Sequence, residues 1–170
     1  MNREILIDRE TIQARVKELA GRLSSDYAGT EPILVGILNG AVFFFSDLVM
    51  AMNIPCKIDF IRAASYGSGT SSSGEVKLVK DVELPIQGKH VVLVEDIVDT
   101  GLTLNRIIEM LRSRGPASVK VCALNDKLER REEEVKIDYC GFEVKEGFLV
   151  GYGLDYDEQY RYLPEIHVLR

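Results

Sequence analysis

The sequence predicts an α/β fold in which buried strands feed helices, and three observations carry this. Residues 33–38 form an uninterrupted apolar run closed by Asn39-Gly40, as in strands covered on both faces. Residues 91–94 form a second such run. It is followed by the carboxylates Glu95, Asp96 and Asp99, a Thr100-Gly101 turn, and then Leu104, Ile107, Ile108 and Leu111 at i, i+3, i+4 and i+7. A third candidate buried strand, residues 119–124, follows a Gly115-Pro116 stop signal. Strand, polar loop and amphipathic helix therefore recur, and in open parallel sheets ligands sit at the carboxyl ends of such strands.

Taken in order, Asp8 is a candidate N-cap for a first helix, with Ile12, Val16, Leu19 and Leu23 on one stripe. Residues 24–32 link it to the strand at 33–38. A second helix is expected over 41–52, with Phe44, Leu48 and Ala51 on one side. Residues 56–62 read as a strand, with Ile58 and Phe60 alternating against polar neighbours. Residues 64–75 are rich in Gly and Ser, and residues 76–79 read as the returning strand. Such a loop is either a hairpin tip or an active-site lid. After the turn at 84–89 come the second strand–loop–helix unit and the strand at 119–124, which ends at Asn125, Asp126 and Lys127. Residues 128–136 are a charge run, read as a solvated connection with no site. Strands at 138–144 and 147–152 complete the chain.

Size and composition limit the function classes. A chain of 170 residues fits a single domain, 1–170. Its composition, 46% hydrophobic and 28% charged, is that of a soluble globular protein. The formal net charge of -6 and pI near 5.1 argue against a broad nucleic-acid surface. Cys56, Cys122 and Cys140 match no zinc spacing and read as buried free thiols of a reducing compartment. The N-terminus shows no signal-peptide pattern, and no apolar run approaches a membrane span. A cytoplasmic protein without nucleic-acid or membrane partners is expected.

The loop after the second run has a chemistry of its own. Amides at a helix start lack intrahelical partners and carry partial positive charge. Thr100 and Thr103 add hydroxyls, and Gly101 allows close backbone approach, so residues 99–103 (Asp99, Thr100, Gly101, Leu102, Thr103) form a candidate phosphate cradle. Glu95 and Asp96 would repel phosphate. They suit a ribose diol or a magnesium ion, although acids in this place also serve as caps and solvated turn residues. An acidic phosphoacceptor pocket is a rival that has no need of the Thr-Gly turn. Leu38-Asn39-Gly40-Ala41, also between strand and helix, is either a second anion site or a plain turn.

The motif EDIVDTG, residues 95–101, closely resembles the phosphoribosyl pyrophosphate (PRPP) signature of type I phosphoribosyltransferases. The resemblance runs from residue 5 to residue 168, with motifs in the same order, and is to the short bacterial hypoxanthine(-guanine) phosphoribosyltransferases. It implies a mainly parallel central sheet flanked by helices, a lid over residues 64–75 and a small C-terminal hood, mainly residues 138–170. It implies transfer of 5-phosphoribosyl from PRPP to N9 of a 6-oxopurine, with magnesium as cofactor and a homodimer or homotetramer as assembly. Ser65-Tyr66 matches the pair that opens the family's lid. Leu38, Asn39 and Gly40 match the loop that binds pyrophosphate through backbone amides, often with a non-proline cis peptide. Many members carry Lys where this chain has Asn39, so only the backbone role carries over.

The same resemblance assigns the remaining residues. Glu95 and Asp96 fall to the ribose hydroxyls and metal, and Asp99 to the candidate general base beside the purine. Asp155 falls to magnesium and Arg161 to pyrophosphate, within VGYGLDYDEQYRYLP, residues 150–164. A lone Lys after a strand is ordinarily a surface residue, but Lys127 matches the lysine that meets the purine's exocyclic oxygen. Lys has three donors and no acceptor, so it suits a 6-oxo group and leaves a 6-amino group unpaired. Phe148, which alone reads as core, matches the aromatic that stacks on the purine, and Leu149 offers backbone groups to the base edge. Two other classes stay open: a nucleotide-sensing regulator on the same fold that binds nucleic acid, and a phosphoribosyltransferase for xanthine, adenine or a pyrimidine.

Overall fold

A computed structural model describes residues 2–65 and 76–170. The elements are β1 (Arg3–Ile7), α1 (Arg9–Asp26), β2 (Ile33–Ile37), α2 (Val42–Met50), β3 (Lys57–Ser65) and β4 (Val76–Lys80), then β5 (His90–Val98), α3 (Leu102–Arg112), β6 (Ser118–Lys127), β7 (Tyr139–Val144), β8 (Phe148–Val150) and β9 (Ile166–Leu169). Six strands form the central sheet in the order β4-β3-β2-β5-β6-β7. All neighbours pair in parallel except β4, which is antiparallel to β3. The strand order reverses between β2 and β5, so ligand-binding loops are expected at their carboxyl ends.

Helices cover both faces. Ile12, Val16, Leu19 and Leu23 of α1 and Phe44 and Leu48 of α2 pack with Leu34, Val92, Val94, Cys122 and Leu124. Leu104, Ile107, Ile108 and Leu111 of α3 pack with Ile33, Val35, Val91, Leu93 and Val121. Alternate residues of β2 and β5 thus enter different cores, which is why those strands read as continuous apolar runs. Asp8 caps α1 by accepting from the Thr11 amide at 2.8 Å.

The hood differs from expectation. It is a three-stranded antiparallel sheet in the order β1-β9-β8, so the N-terminal strand belongs to it. Residues 139–144 do not: β7 is an edge strand of the central sheet, parallel to β6. In β3 the buried residues are Asp59 and Ile61, while Ile58 is exposed, the reverse of the expected alternation. Asp59 can be buried because its carboxylate accepts from the amides of Phe60, Glu83 and Leu84 and pairs with Lys80. The three cysteines are free, but only Cys122 is buried; Cys56 and Cys140 are partly exposed. No helix among the described residues is long and apolar enough to cross a membrane.

Candidate active site

Three strand ends converge on one edge of the sheet. The ladder between β2 and β5 aligns Gly36 with Val94, which brings the turn after β2 beside Glu95 and Asp96. The ladder between β5 and β6 ends with Val98 opposite Asp126, so Asp99 and Lys127 emerge side by side. Tyr66 of the expected lid pair and the Gly/Ser-rich stretch lie outside the described residues, and Ser65 ends β3.

The turn after β2 contains a cis peptide between Leu38 and Asn39. It is hydrogen-bonded by the Ala41 amide to Ile37 and the Val42 amide to Asn39. Gly40 is pressed against Asp96: a methyl group there would collide with its carboxylate. From the other side Gly153 abuts the Gly40 carbonyl, again so closely that a Cβ would clash. The turn is therefore wedged between β5 and the segment that leads into the hood.

Glu95 and Asp96 lie within β5, not in the loop after it, because the ladder to β6 continues to Val98. The Asp96 amide donates to Glu95 Oε1 at 3.0 Å, and the Ile97 amide to Asp96 Oδ1 at 2.8 Å. Burial, together with the Asp96 carboxylate beside it, pushes the Glu95 carboxyl well above the usual carboxylate range. Such a pair favours whatever brings protons or positive charge to it: donated hydroxyls or a divalent cation. Hard carboxylate oxygens fit magnesium, which keeps waters and takes substrate oxygens to complete its octahedron. Asp155 is engaged elsewhere, and among the described residues no three acidic, His or Cys side chains are grouped to hold a metal.

The loop proper is residues 99–101. Gly101 is the N-cap of α3 with φ +86°, so it brings no side chain to the first-turn amides. The Thr100 hydroxyl accepts from the Leu102 amide at 3.3 Å, and Thr103 sits in the first turn. Here the structure corrects the expectation of a solvated connection at 128–136. The amides of Glu132 and Glu133 both donate to the Thr100 carbonyl, at 2.9 and 3.1 Å. Arg131 binds the carbonyls of Val98 and Asp99. The charged run is the underside of the loop at 99–101. Along it alternate residues, Arg131, Glu133 and Val135, turn partly inward between exposed neighbours.

At the end of β6, Lys127 is only 5% exposed. Its ammonium donates to the Gly147 carbonyl at 2.9 Å and lies 3.9 Å from Asp99 Oδ1. The Gly147 amide donates to Glu129 at 2.8 Å, so the start of β8 is held from both sides. Next to it Phe148 is 46% exposed and meets Tyr156 edge to face at 5.6 Å, so it is not a core residue. Leu149 is buried. Asn125, fully buried, was not singled out from the sequence; it donates to the Asp96 carbonyl at 3.1 Å.

Asp155 and Arg161 share the segment between β8 and β9. Asp155 Oδ2 accepts from the Glu158 amide at 2.9 Å, and Arg161 Nη2 lies 3.5 Å from Asp155 Oδ1 and 2.9 Å from Glu158. Arg161 Nη1 donates to the Gly153 carbonyl, which ties it to the residue that wedges the turn after β2. Tyr152, Asp157, Glu158 and Tyr160 all take positive φ, a costly backbone held in place by this network. The Tyr152 hydroxyl donates to Asp47 of α2, which also accepts from Gln13 of α1, and so anchors the segment to the helical layer.

A family model described as "Phosphoribosyl transferase domain" matches residues 3–157. The chain is 45% identical, over 98% of its length and 93% of the relative's, to the hypoxanthine-guanine phosphoribosyltransferase of Bacillus subtilis (strain 168). It is 42% identical to the hypoxanthine phosphoribosyltransferase of Salmonella typhimurium (strain LT2), over 96% and 93% of the two chains. Among solved structures it is similar to a hypoxanthine phosphoribosyltransferase from Staphylococcus aureus, with TM-score 0.95 and 43% identity, covering 98% of this chain and 91% of that one.

Proposed function

The chain belongs to the phosphoribosyl transferase family, and from that premise we propose that it transfers 5-phosphoribosyl from PRPP to N9 of hypoxanthine and/or guanine. The products are IMP or GMP and pyrophosphate, a purine-salvage reaction. The observation that carries this reading is the placement of a buried Lys127 ammonium 3.9 Å from Asp99, at the mouth of the helix-start loop. A candidate phosphate cradle and a candidate donor for a 6-oxo group then lie side by side.

The roles follow from the chemistry. Amides of residues 100–103, with the Thr100 and Thr103 hydroxyls, hold the 5-phosphate. Glu95 and Asp96 accept from the ribose hydroxyls and share the metal. Backbone groups of Leu38, Asn39 and Gly40 and the Arg161 guanidinium hold pyrophosphate. Magnesium, when bound, neutralises the pyrophosphate and makes it a better leaving group. Asp155 would help hold the metal, and it pairs with Arg161. Phe148 offers a face to the purine, and Leu149 its backbone.

In the reaction the N9 lone pair forms a bond to the anomeric carbon while the bond to pyrophosphate breaks, its electrons leaving with the oxygen. Configuration inverts. The base loses one ring proton, which Asp99 is placed to accept at N7. Adenine is disfavoured because its amino group would face an ammonium that has no acceptor.

The test is an assay with PRPP, magnesium and each nucleobase in turn, with and without a chelator. Turnover of hypoxanthine or guanine, lost on chelation, is expected. Preferred use of adenine, or no turnover of any base, would overturn the reading. A cytoplasmic homodimer or homotetramer is part of this proposal and is checked by sedimentation.

A further inference from the structure

The ladder between β5 and β6 stops at Val98 and Asp126, so no strand bond fixes Asp99 relative to Lys127. Something else must, because these two residues sit one step beyond the last pair. Arg131 reaches this gap with its side chain mostly buried. Its Nε donates to the Asp99 carbonyl at 2.8 Å, and its Nη2 to the Val98 carbonyl at 3.1 Å. The same Nη2 also meets the Asp126 carboxylate and, at 3.3 Å, the Lys127 carbonyl. One guanidinium therefore binds the last residue of each strand's ladder and the first residue beyond it on both sides.

We infer that Arg131 is a positioning residue that sets the separation of Asp99 and Lys127 and so links the donor loop to the base-selecting lysine. This rests on the phosphoribosyltransferase reading. Its donors are directed at protein oxygens, so it acts through the two residues and not on substrate. The planar fork suits this task, since its N–H groups point in fixed directions toward carbonyls at the ends of two strands. A lysine at 131 would keep the charge and lose the fork. The backbone amides of Glu132 and Glu133, which hold the Thr100 carbonyl, would remain, so the loop would loosen at one end only.

The experiment compares the native chain with Arg131→Lys, Arg131→Gln and Asp126→Asn. Each is assayed with hypoxanthine and adenine at varied PRPP, and each ligand-free protein is followed by hydrogen exchange and thermal unfolding. A misplacement of about 1 Å can cost roughly a hundredfold in rate. Arg131→Lys is expected to lower kcat/KM for hypoxanthine by about tenfold or more and to narrow the ratio of hypoxanthine to adenine use. Amides of residues 98–103 and 126–128 should exchange faster, with the unfolding midpoint close to native. Asp126→Asn should shift the same readouts less. A loss of activity that only follows the folded fraction, with native base ratio and native exchange in these segments, would overturn the inference. If the native chain turns over no base, the functional proposal fails. Exchange in the ligand-free protein then decides the positioning role alone. If Arg131→Gln does not fold, Arg131→Lys and Asp126→Asn carry the same comparison.

Discussion

Asp99 Oδ1 is buried, accepts no hydrogen bond among the described residues, and has the Lys127 ammonium 3.9 Å away. An ammonium at that distance attracts the carboxylate without saturating it. An oxygen without a donor is what the proposed role of Asp99 as proton acceptor requires. The other oxygen, Oδ2, accepts from the more exposed Arg130 at 3.4 Å.

Replacing Asp99 with Asn keeps the shape and removes the proton acceptor. Turnover should fall by roughly a hundred- to ten-thousandfold, the usual contribution of a positioned base. Affinity for IMP should change far less. Steady-state kinetics and calorimetric nucleotide binding together check this, and unchanged turnover would remove the base assignment.

Lys127→Ala removes the proposed donor to the 6-oxo group and the anchor of the Gly147 carbonyl. A hydrogen bond to a charged group is worth about 1.5–3 kcal/mol, or roughly ten- to a hundredfold in kcat/KM for hypoxanthine. Use of adenine should fall much less, so the ratio between bases is the measurement. A native protein that already prefers adenine would contradict the role given to Lys127.

Gly153→Ala places a methyl group against the Gly40 carbonyl at a residue whose φ is +97°. The turn after β2 must shift to make room. The KM for PRPP should rise several-fold, and the strained backbone should cost roughly 1–3 kcal/mol in unfolding free energy. PRPP titration and urea unfolding read the two effects separately.

Asp59 gives the pH dependence. Burial alone would raise its carboxyl, but the amides of Leu84, Phe60 and Glu83 and the Lys80 ammonium hold it below the usual range. Below its unfolded pKa, about 3.9, the unfolded chain binds this proton more readily than the folded one. Stability from this group is therefore full above about pH 4 and is lost as pH falls through the lower folded value. Asp59→Asn should flatten that part of the acid limb. It should also cost about 2–4 kcal/mol at neutral pH, because it leaves buried amides poorly paired. Unfolding midpoints from pH 3 to 7 check both.

What the sequence shows well is whatever is encoded within a few neighbouring residues. Asp8 before a 3.6-residue stripe gives α1, and unbroken apolar runs give β2 and β5. The change from apolar run to Thr100-Gly101 gives the loop and α3. Glu95 and Asp96 are legible as residues but not as strand residues, since the end of β5 is set by pairing with β6 and not by hydropathy. Asp59 was hidden because its burial depends on amides some 24 residues away. Arg131 was hidden because the oxygens it binds are mostly backbone carbonyls, which have no signature in sequence. The hood was misdrawn for a related reason: β1 is largely exposed, so no burial pattern marks its pairing with β9.

That pairing also orders events in time. Arg3 is matched with Leu169 and Glu4 with Val168, so the hood sheet closes on contacts between opposite extremes of the chain. Closing so long a loop costs entropy that only later contacts offset, and pairs of this kind form late. The donor loop, the helix behind it and its partner strands are local by comparison. A refolding chain should therefore regain its grip on phosphoribosyl groups before the wall that carries Phe148 is in place.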